Sequence, residues 1–155
     1  MRKIEEIIIH CTATRPDQDI SAAQIHRYHK SQGWKGIGYH FLIRLDGTIE
    51  PGRPIELAGA HTAGHNQRTI GIAYAGGIIH KDGKTISSDT RNPAQLRALY
   101  TLISTLLIVY PSIKKISGHR DYNKTSCPCF DAAGEYMPLL NLIRAITISF
   151  DWRLR

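Results

Sequence analysis

No stretch of this sequence is apolar for long enough to cross a bilayer, which takes roughly 20 residues. The N-terminus, MRKIEEIIIH, carries one run of three isoleucines behind Glu5 and Glu6. A secretory signal needs an apolar core of about 7–15 residues, so the expectation is cytoplasmic synthesis without a signal peptide. There is no internal repeat, no low-complexity segment and no linker to divide the chain. The 155 residues are therefore expected to form a single domain, 1–155, around one core. No basic run reaches five residues, and the aromatic residues do not alternate with basic ones as a base-stacking surface requires.

Cysteine is scarce and odd in number. Three thiols in a chain without an export signal argue against a disulfide framework and leave metal binding or free thiols. The closely spaced metal motifs are missing too. Cys127-Pro128-Cys129 puts one residue between thiols where zinc fingers use two to four. There is no H-E-x-x-H helix and no deaminase H-x-E with P-C-x-x-C.

Positive charge is in excess, with 20 Lys and Arg against 13 Asp and Glu, a net +7. That favours an anionic partner, whether nucleic acid, anionic lipid or a wall polymer, or simply aids solubility. The pattern of the remainder predicts an α/β protein. Ile4–Cys11 is short and β-branched, as buried strands are. Ser21 with Gln24 three residues on forms a capping box ahead of Ala22, Ile25 and Tyr28 at helical spacing, up to Gly33. Tyr39–Leu45 and Thr48–Glu50 flank Asp46-Gly47, a hairpin signal. Gly71–Ala75 reads as a strand closed by Gly76-Gly77. Asn92-Pro93 opens a long helix whose expected apolar stripe is Leu96, Leu99, Tyr100, Ile103, Leu106, Leu107 and Tyr110, ended by Pro111. Ile113–Ser117 is a further strand. A last helix is expected after Asp131 or Pro138, and residues from about 140 to 155 form an extra helix, a strand or an arm. Strands alternating with helices predict a single mixed β-sheet flanked by helices, with sites at the strand ends.

His10 ends the first strand, His119 follows the last, and Cys127 lies in the loop beyond. If both strands open on one sheet edge, these three side chains can meet around a metal. The alternative is a hydrogen-bonded strand-end histidine and a thiol acting as a small hydrophobe. Alternation along the strand puts Cys11 on the opposite face from His10, hence in the core, and allows only one of Tyr39 and His40 to face a site.

The segments IIIHCTAT, GWKGIGYHFLIRLDGTIEPGRP, AGAHTAGHNQRTIGIAYAGG, NPAQLRALYTLISTLL and SGHRDYNKTSCPCFD closely resemble, in order and spacing, the zinc-dependent N-acetylmuramoyl-L-alanine amidases, above all their small phage type. The resemblance implies a T7-lysozyme and peptidoglycan-recognition-protein-like fold. It implies Zn²⁺ held by His10, His119 and Cys127, with Tyr39 as a catalytic residue and His61 lining the cleft. Phage members carry a catalytic lysine two residues before the cysteine ligand. This chain has Thr125 there, as the animal peptidoglycan-recognition amidases do, with Lys124 next to it as a second candidate. Trp34 lies at the approach to the site and is expected, with His61 and Lys124, to bind substrate. Cys129 is expected beside the site as a spectator, as a competing ligand, or as an oxidation partner of Cys127. His65 and Arg68 are expected to be solvated loop residues, His80 to sit in a polar turn, and His26 and His29 are assigned no role.

The expected activity is zinc-dependent hydrolysis of the amide between N-acetylmuramic acid and L-alanine in peptidoglycan. The alternative is a non-catalytic peptidoglycan-binding module. The expected partner is peptidoglycan or a muropeptide, with no specific nucleic acid, no membrane span and a monomeric state. The expected place of action is the cell wall, after release through a partner pore.

Overall fold

A computed structural model describes residues 2–151 of the chain. Its centre is β1 (Glu6–Cys11), in which every residue after Glu6 is buried. β4 (Thr69–Tyr74) runs parallel on one side, pairing Ile8 with Gly71 and His10 with Ala73. β7 (Lys115–Gly118) runs parallel on the other. β2 (Phe41–Ile43) joins β4 in parallel, and β3 (Ile49–Pro51) closes the edge antiparallel, giving the order β3-β2-β4-β1-β7. Parallel strands buried on both faces read as continuous β-branched runs, which is why IEEIIIHC and TIGIAY show no polar alternation.

Period-two geometry sorts those strands into two faces. Ile7, Ile9, Cys11, Ile70, Ile72, Tyr74 and Ile116 point to one side, into a core shared with α2 (Pro93–Val109) and α3 (Ala132–Asp151). On the other side a smaller cluster joins Leu42 and Ala73 to Ile25 of α1 (Ala22–Ser31) and to Ile37. His10 projects onto this second, thinly covered face.

The predicted capping box of α1 is present, with Ser21 and Gln24 bonding each other's backbone. α2 has the same device between Asn92 and Gln95, with Pro93 at its first turn. Its buried stripe differs from the expected one. Gln95, Ala98, Leu99, Leu102, Ile103, Leu106 and Leu107 face inward, while Leu96 and Tyr100 are exposed. Leu99, Ile103, Leu106 and Leu107 are buried as expected. The stripe is widened on the side of Gln95, whose Nε2 donates to Ala75 O at 2.7 Å, a polar contact that hydrophobicity does not signal. α3 starts after Asp131, and Pro138 lies inside it. The segment expected as helix, strand or arm continues α3 to Asp151, and residues 152–155 lie outside the described part.

The first hairpin turns over Arg44–Thr48, where Gly47 takes φ +86° and donates to Arg44 O at 3.0 Å. A second hairpin, β5 (Ile78–Lys81) with β6 (Lys84–Ser87), was not expected. Its signal was Asp82-Gly83, both at positive φ, the two-residue turn that matches strand twist. His80 therefore lies in a strand rather than a turn, within 3.1 Å of Thr85 Oγ1. Among the described residues no helix is long and apolar enough to cross a membrane.

Candidate metal centre

Three chain segments meet at the C-terminal end of β1. His10 is the strand's second-last residue, His119 opens a 3-10 turn after β7, and Cys127 follows in the next loop. The two imidazoles and the thiol each offer one atom, and these lie within 4.8 Å of one another. His10 Nδ1 is 3.8 Å from Cys127 Sγ, and the His10 and His119 rings are 4.7 Å apart. The conditional expectation of convergence is met because β1 and β7 are parallel neighbours, so their ends open on the same edge.

Several bonds fix the cysteine loop. Arg120 N–H donates to Cys127 O at 2.7 Å. Tyr74 donates its hydroxyl to Pro128 O at 2.7 Å from inside the core. Arg91 lies 3.2 Å over the Phe130 ring while paired to Asp89 and Glu135. Cys11 lies in the core as alternation required, and its N–H reaches Cys127 Sγ at 3.2 Å.

The electrostatics suit metal binding. Burial, with the neighbouring His61 and His119, holds His10 well below the usual imidazole range, and burial also lowers His119. Hydrogen bonds from Cys11 lower the Cys127 thiol. Neutral imidazoles and a thiolate are the ligand forms a metal needs.

Tyr39 faces this cluster, its ring 5.2 Å from His10. Burial pushes its phenol above the usual range, so it stays protonated. His40 turns away, accepting from Gly71 N–H at Nδ1 and meeting Leu57 O at Nε2. Thr125 is exposed, and its hydroxyl oxygen accepts from Cys127 N–H at 3.2 Å, leaving its proton free for another acceptor. Lys124 is exposed. Trp34 is 46% exposed and lies 4.5 Å from the His29 ring. Cys129 Sγ donates to Gly77 O at 3.2 Å and is 3.9 Å from Cys11 Sγ.

His61 is 8% exposed and sits behind His10, Nδ1 to Nε2 at 3.0 Å. Arg68 pairs with Glu5 at 2.9 Å, and the His65 ring stacks on Tyr122 at 4.0 Å. Sequence reasoning overlooked His29. It shares the buried face of α1 with Ile25, four residues earlier, and that spacing was its signal.

The family described as N-acetylmuramoyl-L-alanine amidase matches residues 1–130. The endolysin of Enterobacteria phage T3 is 42% identical over 127 residues, covering 82% of each chain. Peptidoglycan-recognition protein SC2 of Drosophila melanogaster is 36% identical over 109 residues, covering 67% of this chain and 54% of that one. The solved structure of the amidase LysC from Clostridium intestinale URNW superposes with a TM-score of 0.72 at 34% identity, covering 88% of this chain and 83% of that one. With a match across most of its length and a fold in common, the chain belongs to the N-acetylmuramoyl-L-alanine amidase family.

Proposed function

We propose that this protein hydrolyses the amide between the lactyl group of N-acetylmuramic acid and L-alanine in peptidoglycan, using Zn²⁺ held by His10, His119 and Cys127. The convergence of those three side chains carries the reading. Two nitrogens and one sulfur are a donor set zinc favours. A tetrahedral site with Zn–N about 2.0–2.1 Å and Zn–S about 2.3 Å separates N from S by roughly 3.5 Å, close to the 3.8 Å between His10 Nδ1 and Cys127 Sγ. Three protein ligands leave one position open, the pattern of catalytic rather than structural zinc.

When bound, the ion supplies a Lewis acid that polarises the scissile carbonyl and acidifies water. The chain's own residues do the rest. Tyr39, protonated beside His10, donates to the carbonyl oxygen as it gains negative charge. Thr125, its oxygen anchored by Cys127 N–H, turns its free proton toward the same oxygen. Trp34 offers an exposed ring at the mouth for the substrate to lie on, and Lys124 beside Thr125 offers a cation to its carboxylates. The wall is the place of action, reached through a partner pore.

Digestion of purified peptidoglycan with and without a chelator, followed by identification of the new termini, tests the proposal. Release of peptides with free L-alanine amino groups, abolished by the chelator and restored by Zn²⁺, is the expected result. Metal uptake and wall binding without any such release would make the protein a recognition module instead.

A further inference from the structure

The buried hydrogen bonds behind His10 have a direction, and it can be read from their far end. Thr69 Oγ1 donates to His65 O at 2.9 Å. The hydroxyl has one proton, so toward His61 Nε2, 3.3 Å away, it can only accept. His61 therefore carries its proton on Nε2 and presents a bare Nδ1. That Nδ1 faces His10 Nε2 at 3.0 Å and must accept from it. The His10 proton is thus on Nε2, and the lone pair of Nδ1 points at Cys127 Sγ, 3.8 Å away.

Thr62 Oγ1, within 3.1 Å of His61 Nδ1 and 3.4 Å of His10 Nε2, obeys the same polarity. It accepts from His10 and donates to His61. Thr62 and Thr69 are 1% and 3% exposed and His10 is 1% exposed, so water does not compete for these bonds.

We infer that Thr69, through His61, is a positioning residue that fixes the tautomer of His10 and so keeps its metal-facing nitrogen free of a proton before any metal arrives. The inference rests on the metal-centre reading above, but its first test does not need the metal or the reaction. Reversal would require the Thr69 proton to turn from His65 O to His61 Nε2. That would protonate His61 Nδ1, make His10 Nε2 an acceptor, and leave the His10 proton on the atom that faces Cys127. A metal would then meet a blocked donor. Partners of this kind behind a ligating histidine usually change metal affinity by 10–100-fold.

The direct measurement is ¹⁵N chemical shifts of the imidazole rings in the full-length, metal-free wild type. His10 and His61 are both expected as Nε2-protonated tautomers. Finding His10 protonated at Nδ1 overturns the inference with no variant made.

Thr69→Val keeps the shape and removes the hydroxyl. It is expected to shift the His61 and His10 tautomer populations and weaken Zn²⁺ binding, read by competition with a chromophoric chelator, by at least tenfold. Thr69→Ser restores the hydroxyl and is expected to restore both. If Val and Ser lose metal equally and the melting temperature falls in step, Thr69 is only packing and the inference fails. Peptidoglycan cleavage by the wild type is scored separately. An inactive wild type with the expected tautomers rejects the amidase reading alone, and an active one with the opposite tautomers rejects this inference alone.

Discussion

Gly38 N–H donates to Nδ1 of His29 at 3.1 Å, which ties the residue before Tyr39 to the buried face of α1. The His29 ring also lies 4.5 Å from Trp34 and 5.7 Å from Tyr39. One side chain thereby supports both the exposed Trp34 ring and the phenol beside His10. The two supports are separable. His29→Asn keeps an acceptor for Gly38 and removes the ring, so turnover is expected near wild type with a raised KM. His29→Phe keeps the ring and removes the acceptor, so kcat is expected to fall about tenfold or more, as small misplacements of reacting groups do, with KM little changed. Steady-state kinetics on a soluble muropeptide distinguish the two, and identical profiles for both variants would refute the division.

Removing the phenolic hydroxyl of Tyr39 probes the oxyanion. Tyr39→Phe is expected to retain full metal content and lose about 10²-fold in kcat, the usual effect of deleting one oxyanion donor. Metal analysis beside the rate separates a lost oxyanion donor from lost metal. An unchanged rate would exclude it from the chemistry.

The two loop cysteines are expected to differ. Cys127 faces His10 and His119, whereas Cys129 bonds Gly77 O and lies against Cys11. Cys127→Ser should abolish stoichiometric zinc binding. Cys129→Ser should leave zinc affinity and activity within about twofold of wild type, since its thiol is engaged with Gly77 O and Cys11 and is not part of the His10–His119–Cys127 group. Zinc titration of both proteins settles the comparison, and loss of binding in Cys129→Ser would contradict the geometry.

Acid should destabilise the fold before it touches the carboxylates. Burial pulls His40 down to about 4, and Arg2, 2.9 Å from its Nε2, adds to the shift. The unfolded chain takes up a proton on this residue below about pH 6.5, while the folded one does not until about pH 4. The stability is therefore complete above pH 6.5 and is lost as the pH falls toward 4, by about 3 kcal/mol from this group. Urea midpoints of the metal-free protein between pH 7 and 4 should follow that sign. His40→Gln should flatten the slope, leaving the part due to His10 and His61, which burial also depresses.

Much of this was legible in the sequence because it depends on local chemistry. Caps at Ser21 and Asn92, the turn at Asp46-Gly47 and the β-branched runs of β1 and β4 are short-range signals, and each formed where its residues implied. The α2 stripe held at Leu99, Ile103, Leu106 and Leu107 but not at Leu96 and Tyr100, because apolar residues surround the helix and Gln95, bonded to Ala75 O, takes an inward position that hydrophobicity does not signal. His61 could be assigned to the cleft by resemblance, yet its place behind His10 depends on a loop folding back over β4, which no spacing encodes.

By itself the sequence determined the five strands of the main sheet and the helices, though not the β5–β6 hairpin, together with the face on which His10 stands opposite Cys11 and the residue types able to hold a metal. Alternation and capping act within a few residues, so they survive without a fold. Only the tertiary structure decided that His10, His119 and Cys127 meet, that Cys129 bonds Gly77 O, and that Thr69 and His61 stand behind His10. Those outcomes depend on β1 and β7 being parallel neighbours and on one face of β1 being left thinly covered, pairings between segments more than a hundred residues apart.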